Sequence, residues 1–184
     1  MQRSLHWFLV LSVATACTGL PRRARLTSGS HAACSLVAVS GIPIAHPQAQ
    51  QAVRDFTHQQ GYPYALLYVE TDASSGDARC VRVVQQAENQ FTYYTYQNQQ
   101  IVQSTVTNAS WGQSLAAVGQ GHLRGVCNSY ASEPGEGILL VKRGSTVVFS
   151  LALSLHERNG FTGPDQARVA PALRLVRRVL GRTY

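Results

Sequence analysis

The sequence predicts an α+β domain in which an antiparallel sheet of five to seven strands packs against two main helices. Short β-rich segments between residues 64 and 107 are joined by polar links of a few residues, the pattern of a locally paired meander. The stretch from Ile138 to Leu155 reads as one long hairpin. Two segments, 47–60 and 164–180, carry apolar residues at helical spacing.

The chain begins with a different kind of signal. Arg3 precedes an apolar run from Leu5 to Ala16, and Ala14-Thr15-Ala16 leads into Cys17. The run is too short to span a bilayer comfortably, and small residues close it, as in a secretory signal peptide. With Cys17 directly after the small residues, the N-terminus resembles that of a bacterial lipoprotein. The resemblance covers about the first 19 residues. It implies removal of residues 1–16, acylation of Cys17 and attachment to a membrane through that lipid. Thr18 rather than an acidic residue follows Cys17, and the resemblance then favours the outer membrane, with the domain in the periplasm or at the cell surface. Residues 17–40, rich in Thr, Ser, Gly and Arg near their start, read as a lipid-anchored tether, and 41–184 as a single domain. The stretch from Cys34 to Val39 also fits a short strand.

Charge is unevenly placed. The formal net charge is +7, yet the chain between Pro47 and Asp165 is slightly acidic, and the excess sits in Arg22, Arg23, Arg25 and the arginines after Asp165. Lys142 is the only lysine. Positive ends beside an anionic membrane would add salt-dependent attraction. The region holding most aromatics is not basic, so nucleic acid is not an expected partner.

Along the domain, Pro47 to Gln60 places Ala49, Ala52, Val53 and Phe56 on one helical stripe, with Pro47 suited to the first turn and Gly61 to the stop. Tyr64–Glu70, Cys80–Gln85, Phe91–Tyr96 and Ile101–Thr107 are expected strands. Asn108 to Gly119 reads as a short helix capped by Ser110, with Gln113 completing a capping box and Trp111, Leu115 and Val118 on one side. A brief strand fits near Leu123–Cys127. In the final hairpin, Lys142-Arg143-Gly144-Ser145 is the expected turn, and Gly144 can take positive φ. Alternation sends Val147, Phe149, Leu151 and Leu153 one way and Val148, Ser150 and Ala152 the other. Val169, Leu173, Val176 and Leu180 form the stripe of the last helix, where Pro171 is expected to bend the helix or delay its start.

Four cysteines are present: Cys17, Cys34, Cys80 and Cys127. Export permits disulfides. With Cys17 acylated only one bridge can form, and Cys80 with Cys127 is the expected pair because both lie in apolar, strand-like contexts. An unmodified Cys17 would leave three pairings of the four open. No CxxC pair, HExxH motif, GxSxG elbow or phosphate-loop pattern occurs. No metal site or cofactor is therefore expected. His122, Cys127 and His156 are the residues a hydrolase would have to use, and their spacing matches no known arrangement.

Aromatics give the better lead. Alternation along 91–96 puts Phe91 and Tyr93 on one face and Tyr94 and Tyr96 on the other. If only one face meets the core, Tyr94 and Tyr96 form a contact surface of the kind that binds proteins, peptides or glycans. The expected function is recognition of another envelope or secreted protein, without catalysis. A small-ligand pocket between sheet and helix, and a hydrolase with a His/Cys site, are the alternatives.

Overall fold

The computed structural model describes residues 35–41, 46–71, 78–97, 100–126, 136–154, 161 and 163–181. Cys17, Cys34, Cys127 and His156, with the whole signal segment, lie outside the described residues. The chain divides into two compact units, and the second, His31–Tyr184, holds all the architecture described below.

This unit is α+β. Its elements run β1 (Ser35–Ala38), α1 (Pro47–His58), β2 (Tyr62–Thr71), β3 (Ala78–Ala87), β4 (Gln90–Gln97), β5 (Gln100–Thr107), α2 (Ala109–Ala116), β6 (Gly121–Val126), β7 (Glu136–Gly144), β8 (Thr146–Ser154) and α3 (Gly163–Gly181). The strands form one sheet in the order β1-β6-β8-β7-β2-β3-β4-β5. Eight strands exceed the expected five to seven. The additional strand is β1, which lies inside the stretch read as tether and pairs with β6. The sheet is also mixed: β6 runs parallel to β8, and every other pairing is antiparallel.

The two faces are covered differently. Leu66, Tyr68, Val81, Val83, Phe91, Tyr93, Leu139, Phe149 and Leu151 pack under α2 and α3, against Trp111, Leu115, Val169, Leu173 and Val176. On the opposite face, Ala65, Leu67, Val69, Val84, Ile138 and Leu140 pack under α1 through Ala49 and Phe56, flanked by Ala52 and Val53. The helical stripes expected at 47–60 and in α2 are thus the buried ones. α2 fills the first face beside α3, so three helices rather than two cover the sheet.

Several local expectations are corrected. The cap of α2 is Asn108, whose side chain accepts from the Ser110 amide, and Ser110 lies inside the helix. Asn108 sits two residues before Ser110, in extended backbone (φ −158°), where an N-cap belongs. α3 continues through Pro171. The carbonyl that Pro171 cannot bond belongs to Ala167, which is exposed, so water can satisfy it. The β7–β8 turn is tighter than expected, because Arg143 pairs with Thr146 across Gly144-Ser145. Gly144 has φ +58°, as the first position of a primed two-residue turn requires. A register shift follows Val141, so Lys142 pairs with Val147 and Val148 is the extra residue. The bulge moves Val147 to the α1 face, away from Phe149, Leu151 and Leu153.

Alternation along β7 points Lys142 to the α1 face, in line with Ile138 and Leu140. Lys142 is 2% exposed. Its Nζ donates to the carbonyls of Phe56 (3.1 Å), Thr57 (3.1 Å) and Gln59 (2.9 Å), and lies 5.6 Å from the centre of the Phe56 ring. The only lysine of the chain therefore closes the C-terminus of α1, satisfying carbonyls that have no partner within the helix. Burial pushes its pKa below the ordinary lysine value, and repulsion from Arg82 adds to the shift.

Candidate functional site

Among the described residues, the α1 side of the sheet is covered over β2 and part of β3 and loses its cover towards β5. Registers across these strands set up rows on the α1 side: Leu67–Arg82–Tyr94–Gln103, Val69–Cys80–Tyr96–Ile101, and Ala65–Val84–Thr92–Thr105. α1 covers the β2 end of each row. Towards β5 the rows open to solvent. Tyr96 is 37% and Ile101 72% exposed, while Phe91 and Tyr93 on the opposite face are buried against Trp111. Pleat alternation therefore separates the two aromatic pairs, with Tyr94 and Tyr96 together on the open side.

Tyr94 is half-buried, packing against the α1-side cluster, and the Arg82 guanidinium stacks over its ring at 5.3 Å. Arg82 Nε is buried without a hydrogen-bond partner among the described residues. Cys80 lies beside Tyr96 across the strands. Burial pushes its thiol up to about 11, partly offset by Arg82. A thiol held that high is a poor nucleophile near neutral pH. Its expected partner, Cys127, lies outside the described residues.

The sheet's two outer strands differ sharply. On β1, the Val39 amide bonds the His122 carbonyl, which makes 39/122 a bonded pair and turns the Leu36 and Ala38 backbone groups outward. The outward Leu36 N–H donates to Asp165 Oδ2 of α3 at 2.9 Å. On β5, the Asn108 amide bonds the Asn89 carbonyl, so Ile101, Gln103, Thr105 and Thr107 turn their backbone groups outward. Among the described residues nothing pairs with them. β5 contains no charge, no proline and no bulge, the devices that usually guard an edge. Sequence reasoning missed this edge, although a signal was present: no Asp, Glu, Lys or Arg occurs between Glu88 and Arg124.

The residues a hydrolase would need are not brought together. His122 and Ser150 face each other across the β6–β8 pair, and His122 Nδ1 hydrogen-bonds Ser150 Oγ. Ser150 is buried in the sheet, and no carboxylate orients the ring among the described residues. No cluster of metal-ligating side chains occurs among them. A hollow of about 110 Å³ beside α3 is lined by Phe161, Gln166, Val169, Leu173, Arg174 and Arg177, well below the roughly 300–1,000 Å³ of ordinary ligand pockets. Among the described residues no helix is long and apolar enough to cross a membrane.

Compared with known proteins, the chain matches no family model, no curated protein and no solved structure.

Proposed function

We propose that this chain is an exported, lipid-anchored protein whose domain binds another envelope or secreted protein without catalysing a reaction. The observation that carries the reading is the open half-face of β3–β5, where Arg82, Tyr94, Tyr96 and Ile101 lie on a rigid sheet in contact with solvent. Tyrosine and arginine concentrate binding energy at protein interfaces because each combines apolar area with directed hydrogen bonding. Stacking on Tyr94 preorganises Arg82, which lowers the entropy lost on contact.

Export and anchoring rest on Arg3, the run Leu5–Ala16 and Cys17. The outer membrane is favoured because Thr18 follows the cysteine. The sealed Ser150 gives no support to hydrolysis at His122.

Intact mass tests the anchor. Protein expressed from the full gene is recovered from membrane and soluble fractions. The reading expects a membrane form that begins at Cys17 and carries added acyl mass. A soluble, unmodified chain would overturn the anchor and reopen the pairing of all four cysteines.

A further inference from the structure

We propose that β5 is the interface of a two-fold symmetric dimer, in which a second copy of this chain pairs antiparallel along the same strand. The outward groups of Ile101, Gln103, Thr105 and Thr107 are a row of unpaired donors and acceptors ready for another strand. Antiparallel self-pairing centred on Ser104 is the register that uses all of them. Ile101 then meets Thr107 of the second copy, and Gln103 meets Thr105, each pair exchanging two bonds in each direction of the symmetry.

Side chains fit the same register. Between the bonded pairs, Val102 lies opposite Val106 and Ser104 opposite Ser104. Val102 is 46% exposed in the single chain, and Val106 packs partly against the core. Joining them buries apolar surface beside the existing core. Centring the strand pair on Gln103 or on Thr105 leaves an outward residue unpaired and breaks the valine match.

Charge singles out this edge for self-association. The positive excess after Asp165 sits on and just beyond α3, so two copies repel where their α3 helices approach. From β4 through α2 there is no charged side chain at all, and two neutral edges meet without that penalty. The opposite edge is unsuited: β1 is short, and Asp165 already occupies its outward Leu36 amide. The proposal does not depend on what binds Tyr94 and Tyr96.

Cysteine crosslinking of the full chain, with native mass spectrometry, tests it. At the non-bonded centre, Ser104→Cys would bring two Cα atoms to about 4.5 Å, within disulfide range. Under mild oxidation this variant is expected to form a covalent dimer that the parent chain does not form. Gln103→Cys, whose symmetry mate is displaced along the strand, is expected to stay uncrosslinked. The uncrosslinked parent should show twice the mass of the same preparation's single chain under denaturing conditions. Val102→Lys should reduce it to a single chain that still unfolds cooperatively, at a Tm that no longer depends on protein concentration as the parent's does. A monomeric parent with no Ser104→Cys crosslink would overturn the proposal and leave β5 to a strand of another protein. A dimer that survives Val102→Lys would overturn it too, by placing the interface elsewhere.

Discussion

The Leu36 amide donates to the Asp165 carboxylate at 2.9 Å across 129 positions of sequence. The bond ties the outermost strand of one sheet edge to the first turn of α3, where a carboxylate is also favoured by the helix dipole. One edge of the sheet is thereby closed by a charged side chain, and the other, β5, is left open.

Asp165→Ala should release β1 before it affects the rest of the fold. A hydrogen bond to a charged group contributes about 1.5–3 kcal/mol, and partial exposure places this one at the low end. Hydrogen exchange at the Leu36 amide is expected to accelerate at least tenfold, with the Tyr68 and Val83 amides in the sheet centre slowed or sped only by the small change in global stability. Unchanged protection at Leu36 would show that Asp165 does not hold the edge.

Lys142→Met keeps the side-chain volume and removes the donors that close α1. Three carbonyls at the helix end lose their partner, and the expected cost is about 1–3 kcal/mol. The pH dependence has a definite sign. Because folding lowers the Lys142 pKa, the unfolded chain binds more protons between the folded value and the ordinary 10.5. Stability from this group therefore rises with pH through that window and falls as pH drops through the folded value. The gap between parent and Lys142→Met in urea melts should widen as pH approaches 10.5. A gap that narrows with pH would contradict the burial argument.

Asn108→Ala should lower stability by about 1 kcal/mol through loss of the α2 cap, a Tm shift of roughly 2–4 °C for a chain of this size. Ser110→Ala should cost less, because it removes only the hydroxyl's bond to Asn108 Oδ1 and keeps the bond from the Ser110 amide. The reverse order in differential scanning calorimetry would restore Ser110 as the cap.

Tyr96→Ser and Tyr94→Ser should separate. Tyr96 is exposed, and its loss should change stability by no more than about 0.5 kcal/mol. Tyr94 packs against the α1-side cluster and supports Arg82, so its loss should cost about 1–2 kcal/mol. Equal, large losses would place both rings in the core and remove the open surface.

Much of the fold was legible because local periodicity and burial agreed. Ala49 and Phe56, Trp111 and Leu115, and the alternation of Phe91 and Tyr93 with Tyr94 and Tyr96 all follow from spacing alone. Features fixed by distant partners were not legible. β1 has only four residues, and its place comes from β6 and Asp165, far away in sequence. Lys142 looks like a turn residue because nothing nearby shows that the end of α1 lies over this point of β7. The open edge was half-visible: the uncharged run between Glu88 and Arg124 is a sequence fact, but strand order decides which strand ends the sheet.

Site-specific photocrosslinking in intact cells reads the recognition surface itself. A photoreactive residue replaces Tyr96 on the open half-face or, as a control, Arg178 on the exposed side of α3. Position 96 should capture one defined protein, Arg82→Ala should weaken the capture at least several-fold, and position 178 should not capture it. No protein adduct from 96, or the same adducts from both positions, would contradict the claim that this face is the recognition surface.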